Sequence, residues 1–406
     1  MKRLITLIFT VQAFFSNAQL KEKLEQYFKF QGFVNLQAFY DTRQNLEARE
    51  GMFTFYPLNA KYDNNGVDLN AKDNLNFLAM TTRLGVNIQG GNALGAKLSG
   101  LIETDFTGVS NNDNNGLRLR HAYLTLDWEK RKLLIGHYWH PLYVPEAPVN
   151  SIALNSGAPF HSFSRINQLR YTEQLGHLSL IGVAGTQLDY TNEGPVGRTP
   201  DYMQNAVIPN LHLQFHYKLE NHLLGAGVDY KILVPSLVTA KGFATHSSID
   251  SWALLLFSRS DFGKYQLKLQ AVWGQNLTDH LMLGGYAEAK VDTIKENIAY
   301  TTIDQLSAWI VFEKMKGDFR PGIFCGYLKN LGAAVPVEGK SYGRGIDIGY
   351  VYRIGPRLVY WAGKLMLALE LEYTVAAYGT PDTRLLVRNT KEYANLRTLL
   401  GAFYFF

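Results

Sequence analysis

From residue 28 onward the chain repeats one pattern: short stretches alternate apolar and polar side chains with a period of two, and turns separate them. In 28–41, Phe28, Phe30, Val34, Leu36, Ala38 and Tyr40 fall on one side, and Lys29, Gln31, Asn35, Gln37 and Asp41 on the other. Phe33 and Phe39 are apolar exceptions on the polar side. Period two is the mark of a β-strand whose faces meet different surroundings. The same reading predicts further strands at 75–89, 96–106, 117–128, 133–140, 166–172, 178–187, 211–218, 224–234, 249–258, 265–275, 305–313, 319–328, 346–360, 366–378 and 395–406, sixteen in all.

The connections sort themselves. Short turns fall near Gly90, Lys130, Glu173, Asn221, Gly263, Lys316 and Gly363, with Gly90-Gly91-Asn92 as the first, and every intervening connection is long. An even strand number with short turns at one end and long segments at the other predicts an all-β fold: a transmembrane antiparallel barrel of about 16 strands. Long loops lie outside and short turns face the periplasm. A soluble β-sandwich has no physical reason to sort its connections in this way. Two strands read poorly: 117–128 is apolar on both faces and 251–257 almost throughout, so Leu124, Leu126, Leu255 and Phe257 are expected to put apolar surface inward, against an infolded loop or a neighbouring subunit.

Both chain ends agree with a membrane barrel. In 395–406, Leu396, Thr398, Leu400, Ala402, Tyr404 and Phe406 share a face that lipid would cover, and Arg397 points the other way. At the other end Lys2 and Arg3 precede an apolar run over 4–15, and Ser16-Asn17-Ala18 offers a small-x-small cleavage pattern. The expected division is a signal peptide over 1–18 cleaved near Ala18, a short periplasmic segment over 19–27, and a barrel over 28–406 in the outer membrane of a Gram-negative bacterium. Gln19 in place of Cys argues against a lipoprotein anchor.

Composition narrows the class. Mean hydropathy is only -0.12, and no later stretch supplies the roughly 20 consecutive apolar residues of a membrane helix. Tyr 24, Phe 23 and Gly 36 suit aromatic girdles and tight turns. Cys325 is the single cysteine, which excludes an internal disulfide and a cysteine metal site. No serine sits in a hydrolase elbow, and His212 and His216, four residues apart, would be roughly 13 Å apart along a strand, too far for one ion. No enzyme, cofactor, metal or nucleic-acid partner is expected. The Asn/Asp runs at 63–66 and 111–115 lack EF-hand spacing and read as external loops.

Alternation also assigns the charges of the lumen. Twelve basic residues are expected inward, among them Arg83, Lys97, Arg118, Arg120, Arg170, Arg357 and Arg397. Eight acidic ones include Glu103, Asp105, Glu370 and Glu372. A basic excess lowers the barrier for anions. Pairing across neighbouring strands is the competing outcome. The segment 141–165 differs from the other long connections: it holds Pro145, Pro148 and Phe160 among many apolar residues, and only Glu146 is acidic. Folding back as a constriction loop would bury that surface; packing on the outer rim or a subunit contact is the alternative.

The runs Leu117-Arg118-Leu119-Arg120-His121-Ala122-Tyr123, Ile135-Gly136-His137-Tyr138-Trp139 and Gln168-Leu169-Arg170-Tyr171, with Pro356-Arg357-Leu358 and Glu370-Leu371-Glu372-Tyr373-Thr374, together resemble the bacterial trimeric porins, in particular their DcaP-like branch. The resemblance covers nearly the whole chain after residue 18. It implies a sixteen-stranded homotrimeric porin passing small hydrophilic solutes, with a leaning toward anionic ones, and inward arginines at Arg118, Arg120 and Arg170. It also implies that Gly401, Tyr404 and Phe406 form a signal read by the barrel-assembly machinery. The short 19–27 segment departs from relatives that carry a periplasmic coiled coil. The alternative function is a non-enzymatic structural barrel subunit of a larger outer-membrane assembly.

Overall fold

The computed structural model describes residues 26–109 and 112–406, so the expected signal peptide and all but the end of the 19–27 segment lie outside the described residues. Sixteen strands form the wall. They are β1 Phe28–Asp41, β2 in two pieces (Asn74–Leu78 and Arg83–Ala93), β3 Ala96–Asp105, β4 Arg118–Asp127, β5 Arg131–Trp139, β6 Arg165–Leu175, β7 Leu178–Thr186 and β8 Asn210–Leu219. The second half comprises β9 His222–Leu233, β10 Ile249–Phe262, β11 Tyr265–Gln275, β12 Ile298–Lys314, β13 Phe319–Ala333, β14 Ile348–Ala362, β15 Leu365–Pro381 and β16 Val387–Phe405. Each pairs antiparallel with the next, and β16 returns to β1 through Val34↔Tyr404, Gln37↔Gly401 and Asp41↔Arg397. Closure removes the unpaired edges that a bilayer would not tolerate.

Alternation places the faces as expected. Leu36, Leu256 and Leu400 point outward at 52%, 62% and 55% exposure, whereas Gln37, Gln270, Gln305 and Arg397 are buried on the inside. Outward aromatics gather beside the short turns, including Tyr171, Tyr217, Phe319 and Tyr404. Tyr265 and Phe312 stack there with centroids 5.6 Å apart. A ring of this kind suits the water–lipid interface.

Three local readings change. The first short turn is Leu94-Gly95, with φ of 54° and 76°; two consecutive positive φ values make the tight turn that matches strand twist. Gly90-Gly91-Asn92 instead lies within β2, where the pairing with β3 slips between Gln89 and Asn92. Leu124 does not face inward: it is exposed on the outside, and Leu126, two residues on, shares its face by alternation although neighbouring side chains bury it. Leu255 and Phe257 do face inward, both buried.

What buries them is the third change. The long connections are not all external. The β5–β6 connection, a hairpin of Asn45–Ala48 with Phe53–Pro57, and the stretch 276–283 pack into one apolar cluster with inward wall residues. It unites Phe53, Phe55, Leu142, Phe160, Phe163, Leu277 and Met282 with Leu255, Phe257, Trp309 and Phe324. Each large apolar side chain buried in this way contributes about 2 kcal/mol, so the barrel carries a hydrophobic core inside a polar-patterned wall.

Candidate functional site

Segments inside a barrel bring backbone N–H and C=O groups with no ladder to join, and each needs a partner. The wall side chains supply them. Glu370 accepts from the amides of Ile152 and Ala153 at 2.8 and 3.0 Å. Gln270 donates to Leu142 O at 3.2 Å, Lys268 to Pro148 O at 2.9 Å, Ser307 to Phe160 O at 2.7 Å and Arg353 to Ala158 O at 3.1 Å. Asn155 donates to Glu372 at 3.0 Å, and Arg259 reaches Glu146 O at 2.7 Å. Pro145 is half-buried and Glu146 exposed. The segment thus crosses from β5 to the inward faces of β10–β15. Gly326 makes room for it: a Cβ there would stand 2.6 Å from the Phe160 ring.

The predicted arginine arc is a mostly paired cluster. Arg118 donates to both oxygens of Asp105 at 3.1 and 2.7 Å, and Arg120 reaches Glu103 and Asp105, each at 2.7 Å. Arg83 lies 3.8 Å from Glu103. Two carboxylates therefore serve three guanidiniums. Arg118 and Arg120 are 3% exposed, and burial with several charge-assisted bonds fixes their geometry. Arg170 differs: it donates to Gln168 Oε1 at 3.1 Å and Trp139 O at 3.0 Å, and lies 5.1 Å from the Tyr138 ring centre, with no carboxylate among these partners.

The remaining predicted charges are dispersed. Arg397 pairs with Asp41, directly opposite on the neighbouring strand. Arg357 bonds Glu313; it faces that residue across β13 over Gly322. A side chain at Gly322 would crowd the bridge, since a Cβ would come within 3.2 Å of Arg357 Nε. Glu313 also takes Lys268 at 2.5 Å and Asn150 at 2.8 Å. Glu372 takes Arg353 at 3.1 Å. Lys97 is exposed near the short-turn end of β3, opposite Asp127. Gly401 is buried, and Tyr404 and Phe406 are exposed.

Several residues of this interior were not singled out by pattern. Arg165 is fully buried, its guanidinium 4.6 Å from the Trp139 ring centre and 5.4 Å from those of Phe163 and Tyr190, with Nη2 donating to the Tyr190 hydroxyl at 2.9 Å. Arg118 shares that hydroxyl at 3.4 Å. Arg165 is the first residue of β6, one position before the 166–172 stretch that alternation marks out, so chain position gave no inward assignment. The hairpin 45–57 did carry a signal, because Met52-Phe53-Thr54-Phe55-Tyr56 is too apolar for an exposed loop. The Asp63 carboxylate accepts from the amides of Asn65 and Val67, both at 2.8 Å, as an Asx-type turn does.

The water-facing remainder of the interior is lopsided. Inward positions of β10–β12, β14 and β15, and of β16 from Asn395 to Phe403, are buried almost throughout. On β2–β6, Arg83, Asn87, Glu103, Tyr123, Tyr138, Arg170 and Thr172 keep partial exposure.

No protein-family model matches the chain, and no curated protein matches it. Solved structures do. The outer-membrane channel DcaP of Acinetobacter baumannii is 18% identical, with 93% of this chain and 97% of that chain covered and a TM-score of 0.67. OmpT of Vibrio cholerae is 10% identical over 93% and 97%, with a TM-score of 0.55. An anion-selective porin from Comamonas acidovorans is 10% identical over 93% and 99%, at 0.54. At these identities the likeness is one of fold: the chain has the sixteen-stranded barrel of outer-membrane porins.

Proposed function

We propose that this barrel is a non-enzymatic outer-membrane porin that lets small hydrophilic solutes diffuse along the β2–β6 side of its lumen. One observation carries the reading: a closed sixteen-stranded wall, apolar outward and polar inward, whose fold matches solved porins over 93% of the chain. A barrel with that wall belongs in lipid and encloses water wherever side chains leave room. The segment 141–165 acts as the constriction loop, narrowing the lumen toward the strands where inward side chains keep exposure.

Anion preference in this reading rests on Arg83, Arg170 and the short-turn-side Lys97 more than on Arg118 and Arg120, whose charge Asp105 and Glu103 offset. The remaining expectations join the same proposal: a leader removed near Ala18, lipid around the wall, assembly as a homotrimer, and Gly401, Tyr404 and Phe406 as the assembly signal.

A second reading has a specific observation behind it. Residues of 45–57, 141–163 and 276–283 build an apolar core inside the barrel, as expected of a structural barrel subunit that passes nothing. Conductance in planar bilayers separates the two. Reproducible steps with anion over cation selectivity support the porin, and well-folded protein that gives no steps overturns it.

A further inference from the structure

Where the end of β5, the β8–β9 wall and the 276–283 stretch meet, three histidines and an aspartate come together inside the barrel. One ring nitrogen each of His140 and His280 and one carboxylate oxygen of Asp229 lie within 4.8 Å of one another. The three residues are 2%, 1% and 3% exposed. His140 Nε2 is 3.4 Å from Asp229 Oδ1, close to the ~3.3 Å that separates ligand atoms around a tetrahedral zinc with bonds of about 2.0–2.2 Å. The His140 and His280 rings meet edge to face with centroids 4.4 Å apart.

A second observation points to a ligand. His280 Nδ1 is taken by Ser162 Oγ at 2.8 Å, while its Nε2 is buried without a hydrogen-bond partner, with Asp279 Oδ2 no closer than 3.6 Å. A buried ring nitrogen left bare is costly, and a metal ion satisfies it. Two carboxylates, Asp229 and Asp279, balance the cations beside the site: the Lys231 ammonium, which Asp279 and Asn276 O hold at 2.5 and 2.7 Å, and the Arg344 guanidinium, which also acts on Asp279. His212 Nδ1, 3.0 Å from Asp229 Oδ1, orients the carboxylate as an outer partner orients a metal ligand.

We propose that His140, Asp229 and His280 form a site for a divalent transition metal of zinc-like preference, binding through two imidazoles and one carboxylate. Its effect is a staple. The three ligands come from the start of the 140–164 segment, from wall strand β9 and from the 276–283 stretch, so one ion ties two infolded pieces to the wall. Binding at His140 Nε2 displaces the ring proton that now faces Asn210 Oδ1 at 2.7 Å, and moves it to Nδ1, giving up the 3.2 Å bond from the Leu142 amide. The proposal is independent of whether the barrel conducts.

The test is metal retention by the full chain. Protein refolded in detergent with Zn²⁺, then dialysed against metal-free buffer, is expected to keep about one zinc per chain. His280→Gln and Asp229→Asn are expected to lose it, and His216→Gln, on the same wall but outside the triad, to keep it. Heat-shifted gel mobility reports whether each variant is folded. Should the variants not fold, Co²⁺ added to the unmodified protein gives a readout without them: visible absorption bands of low-coordinate cobalt with nitrogen ligands support the site. Folded protein that retains no zinc and shows no such bands overturns the proposal, as does equal retention by folded His280→Gln.

Discussion

At the residue scale, the interior distinguishes arginines that hold the barrel together from an arginine that holds little but a charge. Arg118 is bidentate to a carboxylate that is 0% exposed. Arg118→Gln leaves Asp105 with Arg120 as its ion partner beside the Thr107 amide and hydroxyl, and a loss of about 2–3 kcal/mol is expected in urea unfolding, short of the ~3–5 kcal/mol for a wholly orphaned charge. Arg170→Gln removes contacts to Gln168, Trp139 O and the Tyr138 ring, none of them a carboxylate, and should cost about 1 kcal/mol or less. Its effect belongs to permeation: reversal potentials in a salt gradient should move toward cations, and an unchanged potential would show that Arg170 is only a strut. Outside the wall, Asp382 sets a local pH dependence. The amides of Arg384 and Leu386 donate to its carboxylate at 2.9 and 3.0 Å and hold its pKa below the ordinary value, with Arg384 the larger cause. The turn is therefore supported at and above the ordinary carboxylate range and loses that support as pH falls through the lowered value. Amide shifts of Leu386 followed by NMR should titrate there, and Asp382→Asn should abolish the titration.

The strands themselves were legible in the chain, because period two needs only the identity of neighbours. All sixteen follow from alternation, and so does the inward placing of Asp41 and Arg397, which the closing seam then pairs. Other features depend on what lies opposite, which no local window contains. Arg357 finds Glu313 two strands away because Gly322 leaves the space between them empty. Leu124 was assigned inward because β4 is apolar on both faces; the pairing slip between Glu103 and Thr104 shifts the face that the arginines continue. His140, Asp229 and His280 are far apart in sequence, and spacing along one strand could not bring them together.

The infolded elements yield predictions at their own scale. Glu370→Ala removes the acceptor for two amides of the 141–165 segment and should loosen it, raising single-channel conductance and current noise together. Gly326→Val should displace Phe160 from its contact and act in the same direction. Deleting the hairpin 45–57 uncovers Phe163, which packs on Phe53 with ring centres 5.2 Å apart; a larger conductance is expected from barrels that still show heat-shifted mobility. Unaltered conductance in all three would mean that the solute path does not run past these segments.

For the whole molecule, two facts pull in different directions: the wall has the fold of solved porin barrels, and the interior is partly that of a globular core. Inward faces on β10–β12, β14 and β15, and on β16 from Asn395 to Phe403, are sealed by the infolded segments, and partial exposure survives on β2–β6 beside Arg83, Glu103 and Arg170. Both hold together when the water path is confined to one side of the lumen. Single-channel recording of the purified protein in planar bilayers tests this most directly. It should give discrete steps, smaller than those of an unobstructed sixteen-stranded barrel, with a reversal potential on the anion side that Arg170→Gln diminishes. Folded protein, verified by its heat-shifted mobility, that inserts and gives no conductance would contradict it.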